Sequence, residues 1–394
     1  MKMVQKKKVI IGLSGGVDSS VAAKLLLEEG YDLIAVFMQN WDDTTGLLDG
    51  ECHWEDDWDF AQLVAKQLNI PIHKIDLSEE YRKRIVNYMF DEYEKGRTPN
   101  PDILCNREIK FDAFIDAVKD FNADFVATGH YCGTKVNDIT GEIMLIAGLD
   151  ENKDQSYFLS QLNQSQLKTA IFPLVDIRKN RVREIAKEIN LPNSNKKDSQ
   201  GLCFIGKVDL PTFLKQQIIP RPGKVIEIDF ETGQKIKEQK DINNLEEACS
   251  DYLYDETFGN AVGEHQGVQF YTIGQRKGLN LGGFPKPLYV LHLDNDRNLL
   301  YVGQGEDHPL LQRKGLKVEN KFVHWIRPSQ KMNLEEKRTY QVRFRHRQEL
   351  QIAELIQKEK YLYILFDEFQ RGISPGQFAT WYKDRECVGS GEIY

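Results

Sequence analysis

The chain has no Cys-x-x-Cys pair: its six cysteines, Cys52, Cys105, Cys132, Cys203, Cys249 and Cys387, stand far apart along 394 residues. That excludes a zinc ribbon and, in a reducing compartment, a disulfide lattice. No apolar run approaches the roughly 20 residues a membrane helix needs. The basic start at Lys6, Lys7 and Lys8 leads into only five mostly apolar residues, too few for a secretory signal. No membrane partner is expected, and the chain reads as cytoplasmic. Internal repeats and low-complexity tracts are missing as well. Positive charge is short: the net charge is −8, so bulk electrostatics does not draw in nucleic acid and any RNA contact needs local basic patches. What remains is enough chain for two or three domains with real cores.

What is present begins at Ser14-Gly15-Gly16-Val17-Asp18-Ser19-Ser20. It follows the apolar run Val9–Leu13 and precedes Val21 and Leu25 at helical spacing, which predicts strand, glycine turn and helix. Free backbone N–H groups and the positive end of the helix dipole meet at such a junction and favour an anion. Gly15 and Gly16 clear the approach, Ser14, Ser19 and Ser20 offer hydroxyls, and Asp18 is placed to hold Mg²⁺ among phosphate oxygens. No Lys-Ser/Thr pair closes the loop, so it is not a Walker A motif. It resembles the PP-loop of the ATP pyrophosphatases, which implies an ATP site; the alternative is a glycine turn that binds nothing.

Further along, Leu33–Met38 and Pro71–Ile75 read as strands, with a helix carrying Trp58, Ala61, Val64 and Leu68 between them. Met38 then lies at the carboxyl edge where open α/β sheets bind ligands. The acidic stretch Glu51–Asp59, with Cys52 and His53, lacks metal-ligand spacing and reads as a solvated helix start. Two prolines in Thr98-Pro99-Asn100-Pro101 predict a fixed loop through Asn106, before a helix at Phe111–Phe121 and a strand at Phe125–Thr128. Asn137–Gly141 is a hairpin signal. Composition shifts near Pro220-Arg221-Pro222-Gly223, after which strands are expected at Lys224–Ile228, Phe270–Ile273, Tyr289–Leu293 and Leu299–Val302. The polar segment 229–263 reads as an insertion with weak periodicity, partly mobile. Beyond Gly315, alternating runs predict a small β-barrel. The expected fold is α/β: a doubly wound parallel sheet with helices over 1–215, a β-rich central domain over 216–313, and a C-terminal β-barrel over 314–394.

Cys105 and Cys203 stand in Pro-, Asx- or Gly-rich surroundings, unlike the other cysteines. Two thiols brought to an ATP site would suit sulfur handling or reversible disulfide chemistry; two inert cysteines are the alternative. A free thiol ionises near pH 8.5, so Lys196, Lys197 or a helix N-terminus would help.

Gly12–Ser20, Ala35-Val36-Phe37-Met38, Pro99–Asn106, Ala127-Thr128-Gly129-His130-Tyr131, Lys153–Leu159, Gly201–Gly206, Tyr271–Gly278 and Ser374-Pro375-Gly376-Gln377 together resemble the bacterial tRNA-specific 2-thiouridylases, in that family's order and across nearly the whole chain. The resemblance implies ATP-dependent 2-thiolation of the wobble uridine of tRNA: adenylation of uracil oxygen 2, then its replacement by sulfur from a cysteine persulfide. Cys203 would carry the persulfide, Cys105 would be the nucleophile that leaves a Cys105–Cys203 disulfide, and Asp102 the general acid/base. ATP with Mg²⁺ would lie on Gly12, Leu13, Ser14, Gly15, Gly16, Val17, Asp18 and Ser19, with Met38 and Gly129 at the adenosine. The anticodon loop of tRNA would meet Asn100, Pro101, Asp102, His130, Lys153, Asp154, Gln155, Arg345, His346 and Gln377, the target base leaving its stack. A cysteine desulfurase or relay protein would supply the persulfide.

The cluster Arg338, Arg343, Arg345, His346 and Arg347 offers local positive charge for phosphates, and a solvated strand face is the alternative. Arg178–Arg183 poses the same choice. Three positions depart from the family pattern: His346 stands where tyrosine is usual, Lys207-Val208 replaces an acidic–basic pair, and 229–263 is longer than expected. The competing functions are an amide-forming PP-loop synthetase, which needs neither cysteine, and a non-enzymatic RNA-binding or sulfur-carrier protein, which releases no pyrophosphate.

Overall fold

The computed structural model describes residues 6–41, 54–198, 201, 203, 205, 206 and 208–394. Cys52 and His53, and Ser199, Gln200, Leu202, Phe204 and Lys207 of the Cys203 segment, lie outside the described residues.

The first part is built on parallel strands β1 (Lys8–Gly12), β2 (Asp32–Gln39), β3 (Ile72–Asp76), β4 (Phe125–Ala127) and, after a hairpin of β5 (Cys132–Val136) and β6 (Ile143–Ala147), β7 (Ala170–Ile171). Their order is β3-β2-β1-β4-β7. Successive strand residues face opposite sides, so Val9, Ile11, Ala35 and Phe37 pack against helices α1 (Val17–Glu28) and α2 (Trp54–Leu68), while Ile10, Val36 and Met38 pack against Tyr81, Ile85, Met89 and Phe90. A sheet covered on both faces requires such continuous apolar strands. Each of these fully buried aliphatics contributes about 1.5–3 kcal/mol. The chain runs from β1 to β2 on one side, and β4 lies on the other. The carboxyl ends of β1 and β4 therefore flank the topological switch point, where crevices form in such sheets.

Residues 101–106 depart from the loop expected at 98–106. Asn100 caps a helix through its Oδ1, which accepts the Ile103 N–H at 3.3 Å, and Pro101 occupies the first helical position. Proline is tolerated there because that N–H has no helical partner to lose. The helix Pro101–Leu104 runs directly into a π-helical stretch, Cys105–Ala113. Cys105 is thus helical and fully buried.

The central four-stranded sheet has β8 (Gly223–Glu227), β9 (Asn260–His265), β10 (Leu288–Asp294) and β11 (Leu299–Gln304) in the order β10-β11-β8-β9. The strand expected at Phe270–Ile273 is instead a 3₁₀ turn, Val268–Phe270, followed by a turn in which Gly274 takes φ +82° and Gln275 Oε1 accepts the Thr272 N–H at 3.0 Å. Segment 229–263 is ordered by packing rather than mobile. Its short helices Phe230–Glu238 and Leu245–Cys249 begin at capping residues Asp229 and Asn244. The second rests on the barrel, with Cys249 against Ile356, Tyr361 and Tyr363 and Glu246 bonded to Lys317 and Tyr363. Helices this short leave little periodicity to read.

In the last part β12 (Gln312–Trp325), β13 (Lys337–Arg343), β14 (Gln351–Gln357), β15 (Tyr361–Arg371), β16 (Phe378–Lys383) and β17 (Glu386–Ile393) close into a barrel, because β12 pairs with both β15 and β17. The β5–β6 hairpin, turned at Asn137–Gly141, joins this sheet rather than the parallel one: β6 pairs with β17 at Leu145↔Cys387. No helix among the described residues is long and apolar enough to cross a membrane.

Candidate active site

The glycine loop leaves β1 at the switch point. Gly15 takes φ +71°, and a Cβ there would lie 2.1 Å from the Asp57 carbonyl oxygen. A Cβ on Gly129, just past β4, would lie 2.7 Å from the Ser19 nitrogen. A Cβ on Gly12 would lie 3.3 Å from Met38 Cε, so Gly12 packs against Met38 as Gly129 packs against the loop. The N-terminus of α1 begins at Gly16 without a side-chain cap, which leaves it suited to an anion. The three serines divide. Ser14 and Ser19 hydroxyls face each other at 3.2 Å, whereas fully buried Ser20 donates to the Gly16 carbonyl at 2.8 Å and is held by Asn193 at 2.9 Å. Ser20 therefore stiffens the turn and offers no donor outward.

Asp18 is already partnered. Lys179 Nζ lies 2.7 Å from both of its carboxylate oxygens, and Tyr131 donates its hydroxyl to Oδ1 at 2.7 Å. Lys179 also reaches Asp198 at 2.7 Å, which in turn accepts from Lys153 at 2.7 Å and Arg183 at 2.6 Å. Burial opposes ionisation of Asp198, but hydrogen bonds from Lys153 and Lys179, and their charges, hold its carboxyl far below the usual carboxylate range. Among the described residues no group of three His, Cys, Asp or Glu could hold a metal ion. Asp18, expected to hold Mg²⁺ among the phosphate oxygens, has Lys179 and Tyr131 as its partners here. Gly15, Gly16 and the uncapped start of α1 leave backbone N–H groups in the arrangement that favours an anion.

The two singled-out thiols come together. Cys105 Sγ donates to Cys203 Sγ across 3.7 Å. Asp102, one helical turn before Cys105, accepts the Cys203 N–H at 3.1 Å, and Tyr81 donates its hydroxyl to the Cys203 carbonyl at 2.6 Å. Cys203 is thereby pinned from both sides of its peptide. Burial pushes Cys105 well up, and its bond to Cys203 adds to that. The hydrogen bond from Cys105, followed by the charge of Lys110, holds Cys203 below the ordinary thiol value against burial. Burial raises the Asp102 carboxyl, opposed by the Cys203 N–H. Lys196, expected beside a thiol, is paired with Asp57 instead, and the nearby cation is Lys110.

Gly129 abuts the loop, and the next residue, His130, turns to the other side. It is buried, bonded to Thr128 at 2.7 Å, and packed between Phe111 and Phe172. Burial, then Lys110, holds it neutral well below its usual pKa.

The residues expected to meet RNA fall into two groups. Asn100, Gln377 and Thr98 form a joint: Gln377 donates to the Thr98 and Pro99 carbonyls at 3.0 and 3.2 Å, the Thr98 N–H reaches the Pro375 carbonyl at 2.8 Å, and Thr98 bonds Thr272 of the central turn at 3.2 Å. All three parts of the molecule thus grip the segment that leads to buried Pro101, half-buried Asp102 and buried Cys105. In the second group, Asp154 is buried with Arg343, Gln155 holds the Tyr131 backbone at 3.0 Å, and Lys153 is half-buried on Asp198. His346 packs on Phe158 with ring centroids 4.4 Å apart, and the Arg345 guanidinium donates to the Gly372 carbonyl. The arginine cluster is therefore not one solvated strand face, since Arg343 is interior and Arg338 is paired with Glu336. Residues 178–183 likewise divide: Lys179 turns inward, and Arg181 pairs with Glu184 and Glu188 on the surface. Tyr81 had no functional signal in the sequence, and Lys179 was singled out only within the basic run 178–183.

Three family models match the chain in succession: a tRNA methyl transferase HUP domain over residues 7–207, a tRNA methyl transferase PRC-barrel domain over 243–304, and an aminomethyltransferase beta-barrel domain over 313–393. The chain is 49% identical over 393 residues to the tRNA-specific 2-thiouridylase MnmA of Christiangramia forsetii, covering 98% of this chain and 100% of that protein. It is 50% identical to the tRNA-specific 2-thiouridylase MnmA of Flavobacterium johnsoniae over the same shares. With that of Karelsulcia muelleri it shares 43% identity over 99% of each chain.

Proposed function

Since the chain belongs to the tRNA-specific 2-thiouridylase family, being a tRNA sulfurtransferase that uses ATP to thiolate tRNA, we propose that it acts on oxygen 2 of the wobble uridine through adenylation and a cysteine persulfide. The observation that carries this reading is the 3.7 Å approach of Cys105 and Cys203. A uracil carbonyl is a weak electrophile with no leaving group. Transfer of AMP from ATP, with departure of pyrophosphate, turns oxygen 2 into one. Bound Mg²⁺ would shield the phosphate charge, and Asp18 is the loop carboxylate that would hold it once the phosphates take Lys179.

In this chain Ser14, Gly15, Gly16, Val17, Asp18 and Ser19 orient the phosphates, with Lys179 as counter-charge, and Gly12, Leu13, Met38 and Gly129 leave room for the adenosine. Asp102, its carboxyl raised by burial, is suited to exchange a proton with the base. Asn100 and Pro101 fix its position. The Cys203 thiolate attacks the outer sulfur of a protein persulfide, from a cysteine desulfurase or relay protein, giving Cys203–S–SH and the donor's thiolate. Cys105, once deprotonated, attacks the inner sulfur, forming the Cys105–Cys203 disulfide and releasing hydrosulfide. Hydrosulfide adds to carbon 2, AMP leaves with oxygen 2, and the proton is lost to Asp102 or water. A dithiol reductant returns two electrons and two protons to the disulfide. Lys153, Asp154, Gln155, His130, Arg345, His346 and Gln377 support the anticodon loop, some by contact and Asp154 by holding Arg343 in place.

The test is nucleoside mass spectrometry of tRNA incubated with the protein, ATP, Mg²⁺ and a persulfide donor. The expected product is 2-thiouridine at the wobble position, with one AMP and one pyrophosphate per sulfur. Pyrophosphate release without thiolated nucleoside under reducing conditions would overturn the sulfur step.

A further inference from the structure

Segment 229–263 packs on the barrel where the barrel's own pairing is broken. β12 and β15 pair at Arg313↔Gln370 and again at Gly315↔Leu365, so Lys314 alone faces residues 366–369. Bulges of this kind re-aim side chains at barrel rims and beside sites. This one leaves the Phe369 ring exposed and brings Lys314 Nζ to the Asp367 carbonyl at 2.6 Å. The helix Phe230–Glu238 and the chain that follows it lie alongside. Between them and the barrel opens a shallow cleft of about 240 Å³, lined by Lys237, Lys240, Arg313 and Lys314 with Phe369 and Tyr252. Lys237 Nζ sits 4.1 Å from the Phe369 ring centre and Lys314 Nζ 5.6 Å from it, while Lys240 Nζ is 4.8 Å from that of Tyr252.

These four cations share one cleft in a chain of net charge −8, yet among the described residues none of them forms an ion pair. They donate to main-chain carbonyls instead: Lys240 to Glu247 at 2.7 Å and Ser250 at 2.5 Å, Arg313 to Ile373 at 2.7 Å. Asp251, whose charge reaches Lys240, is bonded to His292 at 2.8 Å. Lys317, three residues beyond Lys314, is by contrast paired with Glu246. The two helix ends nearby supply about half an elementary charge each, too little to balance the cluster. Burial pushes the Lys237 ammonium below its usual value and lowers Lys240 to about 8. Partly desolvated cations without a counter-charge favour an anion. A single phosphate group matches them better than a carboxylate, having more charge and three acceptor oxygens.

We propose that this cleft is a phosphate-binding site built jointly by segment 229–263 and the barrel bulge, with Lys237, Lys240 and Lys314 holding the oxygens. The group comes from an RNA backbone or from free phosphate or pyrophosphate. The RNA source has two supports. Phe369 offers a ring on which a base can stack. β15 also runs on from Phe369 to Gly372, whose carbonyl holds Arg345, a distance of about 10 Å along an extended strand. The site stands on its own charges, whereas RNA as the source rests on the tRNA reading above.

The experiment uses the full-length protein with its glycine loop filled by a non-hydrolysable ATP analogue, so that phosphate is not read there. One arm follows thermal melting in inorganic phosphate or pyrophosphate against chloride at equal ionic strength. The other measures binding of an unmodified tRNA transcript across a salt series. Phosphate is expected to raise the melting temperature of the wild type, and the double variant Lys237→Met, Lys314→Met to lose that gain. With RNA as the source, the double variant also lowers the slope of log K against log salt by about one. A lost gain with an unchanged slope assigns free phosphate. Lys237→Gln alone guards against a double variant that does not fold and shows a smaller loss of the same sign. Lys237→Arg, Lys314→Arg keeps the wild-type behaviour. If the phosphate gain and the salt slope of the folded variants both equal those of the wild type, the site is overturned. If the two arms follow expectation but no protein makes 2-thiouridine, the functional reading falls and the phosphate site stands.

Discussion

The glycine loop and the thiol pair are two regions of the first part of the molecule, and they hold charge differently. Lys179 is neutralised in advance by Asp18 and Asp198, the latter also held by Lys153 and Arg183. Those partners are about one-third exposed, so an incoming anion can compete for the ammonium. Cys105 and Cys203 instead face each other at 3.7 Å, where burial pushes the Cys105 thiol well up and the hydrogen bond from Cys105 lowers that of Cys203. The first arrangement suits a ligand that arrives charged and leaves. The second suits a group whose charge must be made and held on site. Asp198, five residues before Cys203, joins the two through one short segment.

The sharpest break of this comparison is Cys105→Ser or Cys203→Ser. Each is expected to abolish 2-thiouridine while leaving ATP binding intact, measured by nucleoside mass spectrometry beside equilibrium nucleotide binding; loss of ATP binding would show that the regions are not separable. Next is Lys179→Met, expected to raise KM for ATP about 10- to 100-fold, the scale of a lost charge-assisted hydrogen bond. The pH profile of Cys203 alkylation should not move, and a moved profile would merge the two sites.

The pH dependence of stability should also separate them. Asp198 has a depressed folded pKa, so its contribution is present above the unfolded value of about 3.9 and is lost as pH falls below it. Cys105 has a raised one, so its contribution is present below about 8.5 and is lost as pH rises beyond it. In thermal melts across pH, Asp198→Asn should flatten the acid limb alone and Cys105→Ser the alkaline limb alone. The smallest effect is expected outside both pockets: Arg345→Ala should lower the slope of log K against log salt for tRNA by about one or less. A larger change would place a main phosphate contact on the barrel rim.

Much of this site is legible in the sequence. Ser14 to Ser19 between an apolar run and a helical period specifies a loop with few alternatives, because glycine, strand and helix signals agree there. Cys105 and Cys203 stand out by the residues around them. Where the reading went astray, a local rule met a nonlocal partner. Two prolines suggested a loop at 98–106, but Asn100 caps a helix that Pro101 can begin. Residues 229–263 looked mobile until Cys249 and Glu246 found the barrel surface. The arginine run from 338 to 347 looked like one basic face, but Arg343 turns inward to a carboxylate 189 positions earlier.

By itself, then, the sequence determined the order of the elements, the anion-binding turn and the identity of the two thiols. These follow from periodicity and from backbone freedom, which act within a few residues. Tertiary structure decided the states of those groups: Asp18 is neutralised by Lys179 from 161 positions away, and Cys203 meets Cys105 from 98. Charge and proton affinity depend on what is within a few ångströms and on how much water is left, and only folding sets either.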